Sequence, residues 1–212
     1  MTDIDKIDEF LPQLSTDVRA KLRRYYEELL NFNAKINLVS KATAPFSAKQ
    51  HFADSVLGLE LCFSHQNLTG SVFDFGSGNG FPGLVLGILR PDLKVSLVER
   101  DLRKGEFMKH VAGVVGADNV KLVGQNFENL PKNSVQFGTT RALGSLSTLL
   151  IQMNALFVSG GSLYHFKSDS WTTELANCPT QVFSHWDIQP VGEYILPEST
   201  IVRQIVVSRK IS

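Results

Sequence analysis

Between residues 16 and 36, Val18, Leu22, Tyr25, Leu29, Phe32 and Ile36 recur at steps of three and four, with Arg19, Arg23, Arg24 and Glu27 between them. This stripe predicts an amphipathic helix, with Thr16 and Asp17 suited to cap its start. The polar stretch Asn37–Gln50 contains Pro45 and predicts turns. A second helix is expected from about His51 to Phe63. From Ser71 the pattern changes. Short β-rich runs, Val72–Phe75, Val95–Glu99, Val120–Val123, Val135–Thr140 and Ser162–Lys167, alternate with helical stretches. Glycine, proline and asparagine punctuate the gaps, as at Gly87 to Pro91 and Ala117–Asn119. The alternation predicts βαβ units in a mostly parallel, twisted sheet with helices on both faces. Gln181–Ile188 and Ile201–Arg209 are strand-like, with no convincing helix between them, and predict an antiparallel hairpin at the sheet edge. The expected organisation is one α/β domain, with residues 1–68 a helical N-terminal extension packed on a core of residues 69–212.

Composition narrows the class. The chain has 212 residues, 43% apolar and 20% charged, as in ordinary globular proteins with a sizeable core. Lysine plus arginine equals aspartate plus glutamate at 21 each, so the net charge is zero. Neutrality counts against a nucleic-acid substrate, although a neutral protein can still carry a local basic patch. Arg100, Arg103, Lys104 and Lys109 are candidates for such a patch, together with Arg23, Arg24 or Lys41; a solvated helix face is the simpler alternative. Cys62 and Cys178 show no CxxC spacing and suit a reducing compartment. The acidic N-terminus lacks the apolar core of a signal peptide. No apolar run approaches the ~20 residues of a membrane helix. A cytoplasmic protein is therefore expected, and a monomer, because nothing in the sequence suggests a large apolar interface. His110, His165 and His185 lack metal-ligand spacing, and no metal is expected.

The densest chemical signal is Asp74-Phe75-Gly76-Ser77-Gly78-Asn79-Gly80-Phe81-Pro82-Gly83, directly after the first predicted strand. Glycines there let the backbone approach a ligand and adopt positive φ. Pro82 can open the following helix, Gly83–Leu89, whose N-terminus offers free amides to a ligand. Gly78-x-Gly80-x-x-Gly83 also satisfies the dinucleotide fingerprint, so a nicotinamide or flavin oxidoreductase is one reading. The other is a methyl donor. Asp74 stands two positions before the Gly76-x-Gly78-x-Gly80 triplet, where a carboxylate can meet a cationic methionine amine but would repel a pyrophosphate. The dinucleotide register would also leave Phe75–Ser77 unexplained. Glu99, ending the second predicted strand, can accept ribose hydroxyls under either reading. Asn126-Phe127-Glu128, after the third, stands where such folds close over adenine.

These segments resemble one family, the ribosomal RNA small-subunit methyltransferase G family (RsmG or GidB). The resemblance rests on Leu30-Asn31-Phe32-Asn33-x-x-Ile36-Asn37-Leu38, His51-Phe52-x-Asp54-Ser55 and the glycine motif through Gly83. Lys104, Thr140-Arg141-Ala142-Leu143-x-Ser145-Leu146 and Lys167 follow in order. It covers about residues 25 to 170; from Asp169 the match is loose. The glycine motif is common to many methyltransferases, and the combination is what is specific. Phe32 stands where the family often has tryptophan, Asn126 where it has arginine and Thr140 where it has serine. Gly105-Glu106 replaces commonly basic residues.

The resemblance implies a Rossmann-like fold dependent on S-adenosylmethionine, with S-adenosylhomocysteine as product. It implies methyl transfer to N7 of a guanine in the 530 loop of 16S rRNA, in the free RNA or the 30S subunit. Gly76 and Phe81 would line the cofactor site, Phe127 and Glu128 the adenine, and Arg141 would face cofactor and substrate.

The chemistry agrees with the motifs. Guanine N7 carries an exposed lone pair, so no proton must leave before attack and positioning can supply most of the acceleration. No Asn-Pro-Pro-aromatic segment follows the fourth predicted strand, and no Pro-Cys nucleophile is present. Arg141 is the foremost candidate, able to hold guanine O6, a phosphate or the cofactor carboxylate. Arg103, Lys104 and Lys167 are candidates for RNA phosphate. His51 and Asp54, three apart on one helix face, suggest a structural His–Asp pair or a substrate-facing wall. Phe46 and Phe81 can stack on a base or pack inside. Competing functions are a methyltransferase for small molecules or proteins, an NAD-type oxidoreductase and a catalytically silent binding module.

Overall fold

The computed structural model describes residues 2–211; residues 1 and 212, the outer limits of the two expected segments, lie outside the described residues. Among the described residues seven strands form one sheet: β1 (Ser71–Phe75), β2 (Lys94–Val98), β3 (Val120–Val123), β4 (Val135–Arg141), β5 (Phe157–Ser168), β6 (Trp186–Ile195) and β7 (Val202–Lys210). Their order is β3-β2-β1-β4-β5-β7-β6. The first five are parallel, and β7 runs antiparallel to both β5 and β6, closing the edge as the expected hairpin.

Eight α-helices accompany the sheet among the described residues: α1 (Lys6–Phe10), α2 (Thr16–Asn33), α3 (Asp54–His65), α4 (Gly83–Leu89), α5 (Leu102–Val114), α6 (Leu146–Met153), α7 (Trp171–Ala176) and α8 (Thr180–Phe183). None is long and apolar enough to cross a membrane. Leu22, Tyr25 and Leu29 of α2 share one buried cluster with Phe52, Leu84 of α4, Val95 of β2 and Phe107 of α5. The stripe read from the sequence therefore faces the main core. A second cluster gathers Phe75, Leu149, Leu150, Met153, Val182 and Trp186 beneath α6 and α8.

Several local expectations are corrected. Ser15, not Thr16 or Asp17, caps α2, its Oγ accepting from Val18 N at 3.3 Å. The helix stops at Asn33 rather than 36, because the Asn33 side chain takes the amides of Leu38 and Val39 at 2.8 and 2.9 Å and reverses the chain. The expected turn region is partly helical. A 3₁₀ turn spans Ala44–Phe46, and a wide π-helical stretch, Ala48–Ala53, leads into α3. Asp3 starts that stretch by accepting from the amides of Ala48 and Lys49 at 3.0 and 3.3 Å. β5 begins at Phe157, five residues before the expected start. Gln181–Phe183, expected as strand, are helical: Pro179 sets the start of α8, and Val182 and Trp186, four apart, are both buried. α1 and α7 had no signal in the hydrophobic pattern.

Register brings the chemistry together. Phe75 of β1 pairs with Val98 of β2 and Thr140 of β4, so the segments after all three strands leave from one edge. Between β1 and β4 the strand order reverses, which opens a crevice at the carboxyl ends of the strands.

Candidate active site

The turn after β1 is built from left-handed glycines. Gly76, Gly78 and Gly80 have φ of 67°, 57° and 96°, values that side chains with a Cβ rarely adopt. At Gly78 an added Cβ would meet only Gly76 O, at 3.7 Å, so its missing side chain leaves the floor of the crevice open. Asp74 lies beneath the turn and is wholly buried. One carboxylate oxygen accepts from Gly83 N at 3.1 Å, and the other from Thr139 Oγ1 at 2.8 Å. The strand-end carboxylate thus fixes the start of α4 and lines neither cavity at the turn. Burial pushes its carboxyl up to about 6, opposed by the bonds from Thr139 and Gly83 and by Arg141.

Two cavities meet at this turn, sharing Gly76, Gly78, Lys104 and Ala142. The first, about 600 Å³, runs past Glu99 to the 3₁₀ turn at Phe127–Asn129, with Glu128 and Leu143 on its walls. Glu99 accepts from Gly78 N at 2.8 Å and from Asp101 N at 2.9 Å, which places its carboxylate against the glycine turn. Phe127 packs edge-on to Phe75, with ring centres 6.1 Å apart. Asn126 Nδ2 donates to Glu128 at 2.7 Å. Bare glycine backbone, a carboxylate midway and an aromatic with a polar edge at the far end suit an adenosyl ligand: a surface for close approach, a ribose acceptor and a base platform lie in that order. The amides of Gly76, Ser77, Gly78 and Gly80 donate within the protein.

The second cavity, about 720 Å³, is walled by His51, Asp54, Phe81, Arg141, Lys167 and Arg203, among others. Arg141, at the end of β4, is only 16% exposed at its side chain. Its Nη1 donates to Asp54 Oδ2 at 2.9 Å and Gln50 O at 3.3 Å, and Nη2 donates to His51 Nδ1 at 3.2 Å. Its guanidinium lies 5.3 Å from the centre of the Phe81 ring. His51 and Asp54 are therefore not paired with each other, as the sequence had suggested. Both hold Arg141. Burial, then the Arg141 charge, lowers the His51 imidazole to about 3, so it is neutral and accepts through Nδ1. Asp54 also accepts from Tyr194 Oη at 2.9 Å and lies 3.6 Å from Arg203 Nε.

The candidate cations divide. Lys104 lines both cavities. Lys167 lines the second, but its Nζ donates to Glu174 at 2.7 Å and to Gly144 O at 3.1 Å. Arg103 is 78% exposed on α5 and lines neither. In the suggested patch, Arg23 pairs with Asp8, Arg24 with Glu27 and Glu28, and Lys109 with Glu106, which leaves Arg100 and Lys104 beside the cavities. Phe46 is half-exposed and Phe81 buried. Sequence reasoning passed over Tyr194 and Arg203, because β6 and β7 carry no local motif. Tyr25 was read only as part of an apolar stripe.

The family model described as rRNA small subunit methyltransferase G, GidB, matches residues 18–191. "Ribosomal RNA small subunit methyltransferase G 3" of Bdellovibrio bacteriovorus is 39% identical over 207 residues, covering 98% of this chain and 94% of its own length. The corresponding methyltransferase G of Paracoccus denitrificans is 31% identical over 166 residues, 78% of this chain and 82% of the relative. Among solved structures, a variant of MtNAS in complex with S-adenosylmethionine superposes with a TM-score of 0.59 at 12% identity, over 100% of this chain and 85% of that one. That last likeness is one of fold.

Proposed function

The chain belongs to the rRNA small subunit methyltransferase G family, and from that premise we propose that it methylates N7 of a guanine in the 530 loop of 16S rRNA. The donor is S-adenosylmethionine, which supplies a sulfonium methyl when bound. The glycine turn and Glu99 hold its amino-acid and ribose parts, and Phe127 and Glu128 flank the adenine. The target base enters the second cavity. Arg141 orients it through O6 or an adjoining phosphate, because a donor placed on N7 would block the attacking lone pair. Lys104, on both cavities, offers its charge to the RNA backbone.

One observation carries the choice of acceptor atom: no residue lining the second cavity is a free base. Asp54 is engaged by Arg141 and Tyr194, Glu174 by Lys167, and the lowered His51 imidazole is a poor proton acceptor. An exocyclic amine needs help to shed a proton, whereas N7 attacks as it stands. Electrostatics then favour binding of the RNA phosphates, since the cavity holds the cations Lys104, Arg141, Lys167 and Arg203 against the carboxylates Asp54 and Glu174. A local positive field of this kind recruits RNA to a protein of zero net charge. The enzyme acts as a cytoplasmic monomer.

The test is incubation with labelled S-adenosylmethionine and 30S subunits lacking the modification, followed by digestion of the rRNA to nucleosides. Label in 7-methylguanosine supports the proposal. Label in another nucleoside, or in protein only, overturns it.

A further inference from the structure

The helical layer preceding the sheet reaches into the glycine turn through one side chain. Tyr25, in the middle of α2, is fully buried, and its hydroxyl donates to Asn79 O at 2.5 Å. Asn79 is also tied from outside the turn, its Nδ2 donating to Leu38 O at 3.1 Å. Beside it, a Cβ added at Gly80 would stand 2.3 Å from the Tyr25 hydroxyl, so this approach requires glycine there. The ring of Tyr25 stacks on Phe81 at 5.0 Å and 10°, and the other surroundings of Phe81 include His51 at 5.3 Å and the Arg141 guanidinium.

The hydroxyl bears on the direction of one peptide plane. With Asn79 O turned toward Tyr25, the next amide, Gly80 N–H, donates to Ser77 O at 2.7 Å and closes the turn. The segment has positive φ at three glycines and therefore an intrinsically wide choice of conformations. A flipped 79–80 peptide would aim a carbonyl dipole at the crevice, where the carboxylate end of the methyl donor is expected, and would repel it. Burial raises the Tyr25 phenol well above its ordinary range, so it stays a neutral donor.

We infer that Tyr25 is a positioning residue for the cofactor: its hydroxyl latches the tip of the glycine turn in the binding conformation, making α2 part of the S-adenosylmethionine site. The inference rests on reading the first cavity as that site, with Asn79 at the turn where it meets the second cavity, whose wall Asn79 joins. A hydroxyl that served only the core would affect stability and leave ligand affinity alone.

Tyr25→Phe removes the oxygen and keeps the stacked ring. Calorimetric titration with S-adenosylmethionine and S-adenosylhomocysteine is expected to give Kd values about tenfold higher than wild type, the scale of one hydrogen bond. The KM for S-adenosylmethionine rises with them, while kcat at saturating donor and the KM for RNA stay within about twofold. A folded variant with unchanged Kd overturns the inference, and so does a variant that does not fold, since the hydroxyl would then serve the fold. Absence of donor binding by the wild type overturns the reading of the cavity as well.

Discussion

Arg141 Nη1 donates to Asp54 Oδ2 at 2.9 Å, joining the end of β4 to the first residue of α3 across 87 positions of sequence. Asp54 is 4% exposed. Charges this deep are stable only while paired, because a lone buried ion keeps its desolvation penalty without the compensating attraction. The same pair fixes the guanidinium over Phe81, on the wall of the second cavity.

Asp54→Ala is therefore expected to destabilise the protein by roughly 3–5 kcal/mol in urea unfolding, as when one partner of a buried pair is removed. Arg141→Lys keeps the charge but cannot reach Asp54, Gln50 O and His51 together. Its kcat/KM is expected to fall about 100-fold with a much smaller loss of stability. Equal stability losses in both variants, with transfer intact in the lysine variant, would mean that the guanidinium is only structural.

Gly76→Ala tests the turn. The new Cβ would stand 2.5 Å from Leu143 Cδ1 at a φ of 67°. The Leu143 side chain, part of the wall of the first cavity, must shift to make room. Donor binding measured by calorimetry is expected to weaken by more than about tenfold, with the far-ultraviolet circular dichroism spectrum retained.

Stability should fall on acidification, and the sign follows from three buried groups. His51 and His165 are lowered from the ordinary 6.5 to about 3, mainly by burial. The unfolded chain then binds more protons than the native one, so stability present above pH 6.5 is lost as pH falls toward 3. Asp74, raised by burial to about 6, works the other way: below pH 6 its native form takes up a proton first, and stability is gained. Two histidines outweigh one aspartate. Urea unfolding between pH 7 and pH 5 is expected to show the decline, and His165→Gln to flatten it by up to about 1.4 kcal/mol per pH unit. A slope unchanged in that variant would show that His165 is not buried neutral.

How much of this was legible in the chain differs between fold and site. Strand β3 and helix α4 fall on the expected residues, because short apolar runs bounded by glycine and proline state their own limits. The glycine turn was legible for the same reason: its chemistry is contiguous. The grip on Arg141 was not, since three strands, β1 to β3, separate it from His51 and Asp54 in the sequence. Their i, i+3 spacing pointed to each other instead. Tyr25 was hidden differently. Its ring fits the helical stripe so well that periodicity counts it as apolar, and nothing local announces where its hydroxyl goes. The short helix α8 was misread because Val182 and Phe183 favour a strand by composition, while burial of Val182 and Trp186 on one cluster decided otherwise.

The most direct measurement is methyl transfer from labelled S-adenosylmethionine to 30S subunits lacking the modification, with wild type and Arg141→Ala side by side and the methylated position mapped. The proposed activity gives 7-methylguanosine at one guanine of the 530 loop with the wild type, and that signal is lost in a folded Arg141→Ala protein that still binds the donor. Donor binding without any transfer to 30S or to 16S rRNA, or undiminished transfer by the variant, would contradict it.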